Sequence, residues 1–443
     1  MKKLLDHRVN LRLPTETFMA IDTLRIEGEN CPSLNSWVAE AIREKIERDS
    51  HYAHTKQNIE SDGYPFFEFF AGGGMARAGL GERWNCQFAN DNSAMKGQVY
   101  RKNWHGGPEL VIEDVNKITT RHLSGTPDLI WASFPCQDLS LAGNYEGIGH
   151  RSTKIQTRSG TFWPFWKLIR TLMEENRSPK LIVLENVYGA LTSHGGKDFA
   201  AIGSAFSGAG YRFGALVVDA KHFVPQSRQR VFVIGVRNDA KLRIDLIADA
   251  PAAPWHPASL QKAYEKLSKE AQKKWIWWNL PIPPQRQTTL TDLIEDNPVG
   301  VAWHTSDETN HLLSLMNDVN LAKVNLAKKT KRRMVGGVYR RTRSEEDGTK
   351  VQRAEVRFDD IAGCLRTPSG GSSRQTILVI EGTKIRSRLL SPREAARLMG
   401  LPDTYVLPAK YNDAYHVAGD GVVVPVVRHL SNYIFEPIIE SFM

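Results

Sequence analysis

The spacing of apolar positions changes twice along the chain, and each change marks a new region. Arg8-Val-Asn-Leu-Arg-Leu13 alternates strictly, with Val9, Leu11 and Leu13 on one side and Arg8, Asn10 and Arg12 on the other, which predicts a half-buried strand. Pro14-Thr15 stops it, and Phe18, Ile21 and Leu24 then fall on one side of a helix. Gly28 to Pro32 breaks that helix. Ser33 is placed to cap a second one, with Val38, Ala41, Ile42 and Ile46 at helical spacing. One strand and two helices cannot bury their own apolar faces. Residues 1–50 therefore read as a β-α-α module that pairs with a second copy in a homodimer, and polar residues 51–62 read as a linker.

From Phe66 onwards, continuous apolar runs replace the alternation. Phe66 to Phe70, Leu129 to Phe134, Leu181 to Leu184 and Val231 to Gly235 predict buried strands, and helical segments between them predict an α/β fold over residues 63–238. After Val236 this regularity stops. Pro251 to Pro257 and Pro281-Ile-Pro-Pro284 punctuate the chain, and Trp275, Trp277 and Trp278 cluster, so residues 239–418 read as a second, irregular domain.

Chemistry-bearing residues sit at the ends of the predicted strands. Pro135 ends one of them, which puts Cys136 just past a buried strand's carboxyl end, where ligands bind in open α/β sheets. A thiol there is a candidate nucleophile, although a lone Cys is more often structural. Glu185 closes a second strand; by itself it reads as a rim ion-pair partner. Gln226, Arg228 and Arg230 occupy alternate positions before a third, and share one side if that segment is extended. Ala71-Gly-Gly-Gly74 is a turn between strand and helix, followed about twenty residues later by Asp91 at a strand end, the arrangement of nucleotide-binding βαβ units. Glu113-Asp-Val115 offers a further acid.

Composition adds three bounds. The 443 residues, 41% hydrophobic, are enough for two or three domains, and a net charge of +9 favours a polyanionic partner. Four cysteines, none at CxxC spacing, indicate neither a zinc site nor a disulfide framework, and no metal is called for. Neither a signal peptide nor an apolar run of about 18 residues is read, so a cytoplasmic protein without a membrane span is expected.

In set and order, these pieces resemble the DNA (cytosine-5-) methyltransferase family. The resemblance rests on the Gly-rich turn, Pro135-Cys-Gln137, Glu185-Asn-Val187, Gln226-Ser-Arg-Gln-Arg230, Ser391-Pro-Arg-Glu394 and Gly419-Asp-Gly-Val422, and covers nearly all of residues 64–238 and 358–440. Departures are Glu68 for the usual Asp, Met75 for a frequent Gly, Asp91 for the commoner Glu, and Asp420 for Asn. The resemblance implies a Rossmann-like S-adenosylmethionine-dependent methyltransferase domain, a smaller target-recognition domain, and a C-terminal return over residues 419–443. It implies methyl transfer to carbon 5 of a cytosine flipped out of duplex DNA. By the same resemblance Cys136 adds to carbon 6, Glu185 shares a proton with N3, Arg230 holds O2, and Arg228 supports that arginine or a phosphate. The implied cofactor residues are Phe70, Ala71, Gly72, Gly74, Asp91, Asn92, Asp114, Val115, Pro135, Phe162, Gly421 and Val422. Gln137 and Ser140 belong to a loop that closes on DNA.

The first 50 residues resemble ribbon-helix-helix repressors, which implies that Arg8, Asn10 and Arg12 face base edges and that the module represses its own promoter or aids dimerisation. Modification enzymes of this kind imply a cognate restriction endonuclease as partner. In the second domain, the basic runs Lys328 to Arg333 and Arg340 to Arg343 and the loop Thr367 to Ser373 are candidate DNA contacts, or simply solvated surface. Two rivals are a tRNA cytosine methyltransferase on the same scaffold and a non-catalytic DNA-binding repressor. The long second domain weighs against the first, and the intact Cys136, Glu185 and Arg230 against the second.

Overall fold

Alternation within the apolar runs sorts their side chains to the two faces of one sheet. The computed structural model describes residues 63–134, 161–344, 348–367 and 374–442, with isolated positions 15, 19 and 34 before them. The chain divides into a unit of residues 1–63 and a unit of residues 64–443. Apart from those three positions, the β-α-α module lies outside the described residues, as do the linker and the segment holding Pro135, Cys136, Gln137 and Ser140.

Seven strands form the main sheet: β1 Tyr64–Phe69, β2 Trp84–Asp91, β3 Leu110–Ile112, β4 Leu129–Ala132, β5 Leu181–Val187, β6 Tyr211–Asp219 and β7 Gln229–Arg237. Their order is β3-β2-β1-β4-β5-β7-β6. Strands β1 to β5 pair in parallel, and β7 runs antiparallel to both β5 and β6. Phe66, Leu129, Trp131, Leu181 and Val183 enter one core layer, while Phe67, Phe69, Ile130, Ile182 and Leu184 enter the layer on the opposite face. Burial on both faces explains why these strands read as continuous apolar runs. Each wholly buried Phe contributes roughly 1.5–3 kcal/mol.

Helices cover both faces. On one side lie α1 Met75–Leu80 and α2 Ala94–Asn103; on the other, α3 Phe162–Glu174 and α4 Lys197–Gly208. The direction of chain winding reverses between β1 and β4, which opens a crevice at their carboxyl ends. The result is a Rossmann-like α/β sheet with one reversed strand.

The tryptophan cluster belongs to this sheet rather than to the second domain. Phe213 N donates to Lys274 O at 2.9 Å and Ile276 N to Phe213 O at 2.7 Å, so residues 274–276 run along the outer edge of β6. Trp278 is fully buried against the same strands. A Cβ on Gly214 would lie 1.9 Å from Ile276 O, so only glycine admits this approach. An exposed sheet edge needs a cover, and the segment after Val236 provides it. A boundary drawn at 239 on composition therefore falls inside a packed layer.

Nor is the second region irregular. Strands β8 Arg333–Ser344, β9 Lys350–Arg357, β10 Thr376–Glu381 and β11 Lys384–Leu389 form an antiparallel sheet, ordered β11-β10-β8-β9. Helix α5 Asp318–Lys329 backs it through Val324 and Ala327. Charged residues on the open face of β8 and β9 hide their period from an apolar-run reading.

The chain then returns to the first sheet. Ser391 and Glu394 form the expected capping box of α6 Pro392–Leu398. Gly419 and Asp420 end α7 Tyr411–Asp420, and residues 421–423 connect it to α8 Val424–Leu430. Helix α8 packs on α1 so closely that a Cβ on Gly79 would sit 2.3 Å from Val427 Cβ. Arg428 Nη1 donates to Leu80 O at 2.8 Å, closing the carboxyl end of α1.

Candidate active site and cofactor cleft

The reversed strand assembles the candidate catalytic rim. Because β7 runs against β5, its first residues lie at the carboxyl end of β5, with Arg230 opposite Val187 and Phe232 opposite Glu185. Arg230 Nε forms an ion pair with Glu185 Oε1 at 3.1 Å, and Glu185 is only 7% exposed. Strand β4 ends beside them. Its continuation, Phe134, is buried against Phe162 with ring centroids 5.7 Å apart, two residues before Cys136. Expected site residues Glu185 and Arg230 therefore meet, and the fold carries the chain towards them at Phe134.

The glycine turn is held from below. Phe70, Gly72 and Gly74 all have positive φ, at 58°, 57° and 80°. Their reasons differ. A Cβ on Gly72 would meet nothing within 4 Å, so this glycine faces open space. A Cβ on Gly74 would lie 2.1 Å from Trp104 Nε1, and one on Gly73 2.2 Å from the Tyr405 hydroxyl. Both rings donate to Gly73 O, at 3.1 Å and 2.8 Å respectively. Asp91 fixes the turn's mouth: Gly72 N donates to Oδ2 at 2.9 Å and Ser93 N to Oδ1 at 2.8 Å. Asn92 and Asp114 are exposed on the same rim, while Ala71 and Val115 are buried. Hydrogen bonds from Asn116 hold the Asp114 carboxyl below its ordinary range. Phe162 is fully buried among Phe134, Trp163 and Trp166, which makes it support for the cleft floor.

Beneath the turn, Glu68 is buried, and burial pushes its carboxyl up to about 8, against the lowering effect of Arg77. It accepts a hydrogen bond from the Arg77 backbone, and its Oε2 has no partner among the described residues. Nearby Cys86 is likewise pushed up to about 12 by burial.

Arg228 is 2% exposed and ties three segments together. It donates to Leu365 O at 2.9 Å, Gly419 O at 2.9 Å and Gly421 O at 2.8 Å, and reaches Cys364 Sγ at 3.5 Å. Gln226, wholly buried, donates to Leu398 O at 2.7 Å and accepts from Leu365 N at 3.0 Å. Gln226, Arg228 and Arg230 do not share one open side; the first two are interior struts. Gly421 lies against Met75, whose Sδ would be 2.1 Å from an added Cβ, and Val422 is buried beside it. Asp420 accepts from Lys96 at 2.7 Å and from Thr367 at 2.6 Å; burial opposes its ionisation, but Lys96, Thr367 and His416 together outweigh this and hold it below its ordinary range.

Sequence reasoning missed Trp104, Tyr405 and Cys364 as parts of the site, and singled out Gln226 without foreseeing that it is buried. None of the three missed residues had a local signal in the chain. Burial pushes the Cys364 thiol up, but the Arg228 and Arg230 guanidinium groups bring it below its ordinary value.

The sequence model of the family described as C-5 cytosine-specific DNA methylase matches residues 64–436. Among characterised relatives, Type II methyltransferase M.HhaI of Haemophilus parahaemolyticus is 23% identical over 371 residues, covering 83% of this chain and 93% of its own. Type II methyltransferase M.HpaII of Haemophilus parainfluenzae is 24% identical, covering 84% and 89%. Among solved structures, the Entamoeba histolytica methyltransferase EhMeth superposes with a TM-score of 0.52 at 14% identity, over 85% of this chain and 98% of its own. The S. pombe Dnmt2 methyltransferase gives 0.51 at 16% identity, over 84% and 99%. These two structures share the fold.

Proposed function

This chain belongs to the C-5 cytosine-specific DNA methylase family, and from that premise we propose that it methylates one cytosine of a specific duplex DNA sequence through a covalent adduct with Cys136. The observation that carries the reading is the Glu185–Arg230 pair, 3.1 Å apart at the strand ends towards which Phe134 leads the chain. The cytosine flips out of the stack to reach it. The Cys136 thiolate adds to carbon 6 of the ring, which makes carbon 5 nucleophilic. Glu185 delivers a proton to N3, so charge does not build on the ring, and its carboxyl oxygens discriminate the cytosine amino group. Arg230 holds O2 by a charge-assisted bond and orients Glu185. After methylation the carbon 5 proton leaves to a base from solvent, the carbon 6–sulfur bond breaks to expel the Cys136 thiolate, and N3 returns its proton to Glu185. Gln137 and Ser140 contact the DNA around the flipped base.

The cleft fits S-adenosylmethionine: Gly72 turns towards open space, with the Asp91 carboxylate bound to its N–H and Asp114 on the next strand end. Phe70, Ala71, Gly72, Gly74, Asp91, Asn92, Asp114, Val115, Pro135, Gly421 and Val422 hold it, above Phe162. When bound, it supplies an electrophilic methyl group. Asp91 suits a ribose diol, and Asp114 an adenine amine.

On this reading the enzyme works on DNA in the cytoplasm, as the modification partner of a restriction endonuclease. Arg8, Asn10 and Arg12 read a promoter as a ribbon-helix-helix pair, and residues 1–50 dimerise the protein. Incubation with methyl-labelled S-adenosylmethionine and either duplex DNA or tRNA tests the activity. Label should enter DNA as 5-methylcytosine and be lost in Cys136→Ser. Label in tRNA alone, or full turnover by Cys136→Ser, rejects the reading.

A further inference from the structure

Strands β8 and β9 separate their side chains between a core face and an open face. The ladder pairs Val338 with Val356, Tyr339 with Glu355, Arg340 with Ala354 and Arg341 with Arg353. Val338, Ala354 and Val356 pack towards Met316, Val324 and Ala327. Because successive residues alternate, Tyr339, Arg341, Arg353, Glu355 and Arg357 share the other face. Strand β10 pairs with β8 only as far as Val338. Beyond it, β8 and β9 continue as a two-stranded ribbon, and past Ala354 they place no aliphatic residue on the core face: Arg340 and Thr342 stand there opposite Ala354 and Gln352.

This ribbon begins at the catalytic rim. Tyr339, Arg341, Glu355 and Arg357 line a cleft of about 440 Å³ that they share with Ser227 and Cys364. Ser227 N donates to Ala362 O at 2.9 Å and Ala362 N to Pro225 O at 2.8 Å, so the far wall is bonded to the segment that leads into Arg230.

We propose that the open face of this ribbon reads base edges in the major groove, with Arg341 and Glu355 recognising a guanine–cytosine pair of the target sequence. The proposal rests on the DNA methylation assigned above. A two-stranded antiparallel ribbon fits the major groove, and a guanidinium fork matches guanine O6 and N7. The carboxylate decides between reading bases and gripping backbone. A surface that only holds phosphates gains nothing from an acid, which the polyanion repels. A carboxylate facing the groove accepts from the cytosine amino group. Arg341 Nε lies 3.8 Å from Glu355 Oε2, too far for a hydrogen bond yet near enough to hold the two side chains side by side.

The full-length enzyme and its Arg341→Ala, Arg341→Lys and Glu355→Gln variants should be incubated with S-adenosylmethionine and a DNA library randomised around the target, then mapped by bisulfite sequencing. Each variant should melt with the wild type and lose about ten- to hundredfold discrimination at a single base position, others unchanged. Lysine should fail to restore what alanine loses, because it keeps the charge without the fork. An unchanged sequence preference in Glu355→Gln overturns the proposal. So does a uniform loss across all sequences in Arg341→Ala that lysine repairs, which marks a phosphate contact. A wild type that marks no cytosine rejects the enzymatic assignment itself, and this proposal with it.

Discussion

Glu185 and Arg230 meet, 3.1 Å apart, because one strand runs backwards, and the proposed mechanism turns on that carboxylate. Glu185→Gln keeps the size but cannot share a proton with the ring. Single-turnover methyl transfer should fall by roughly 10²–10⁴, with DNA affinity little changed; an unaffected rate would remove Glu185 from the mechanism. Glu68 makes a second prediction at this scale. Its carboxyl ionises near 4.5 in an ordinary setting and at about 8 here, because it is buried. Between those values the unfolded chain has released a proton that the folded chain still holds, so stability falls as pH rises through the window. Glu68→Gln retains an acceptor for the Arg77 backbone and cannot ionise. Its melting temperature should match the wild type near pH 4.5 and exceed it increasingly towards pH 8, with a gap on the order of 1 kcal/mol per pH unit. Cys364 and Cys86 differ in the opposite sense: Cys364 is partly exposed and favoured as thiolate by Arg228 and Arg230, whereas Cys86 is buried and pushed up to about 12. Mass spectrometry after iodoacetamide treatment of the native protein should find Cys364 alkylated and Cys86 untouched.

Between elements, the decisive link is Arg228. Its guanidinium satisfies the carbonyls of Leu365, Gly419 and Gly421, which belong to the second region and to the returning C-terminal segment. Replacement by Met leaves three carbonyls without that donor, a loss of at least about 3 kcal/mol. Urea denaturation should register it, and amide exchange should rise first at residues 419–423, beside the proposed cofactor cleft. The pattern of the segment showed alternate polar residues but not their destinations. Gln226, Arg228 and Arg230 read as one facing row, whereas two of the three bond to backbone more than 130 residues away. The α6 capping box, by contrast, was legible in full, because Ser391 and Glu394 satisfy each other's backbone within one turn.

Across the whole molecule, the family match begins at residue 64, where the second unit also begins. A chain starting at Gly63 should therefore fold and methylate DNA at the rate of the full protein. Loss of methyl transfer on that truncation would show that the first unit completes the enzyme. The same truncation should abolish promoter binding if residues 1–50 act as the ribbon-helix-helix pair.

What the sequence determined by itself is local: which runs are strands, which acids, Glu185 among them, stand at their ends, and where Ser391 starts a helix. Each depends on steric and hydrophobic preferences set within a few residues of chain. The tertiary structure alone decided that β7 reverses to bring Arg230 onto Glu185, that residues 274–276 cover the β6 edge, and that Tyr405 and Trp104 grip Gly73 O. It also decided that β8 and β9 outrun their neighbour as a ribbon. Those outcomes follow from how whole surfaces exclude water and satisfy buried carbonyls together, and a separation of 332 residues between Gly73 and Tyr405 leaves no trace in local spacing.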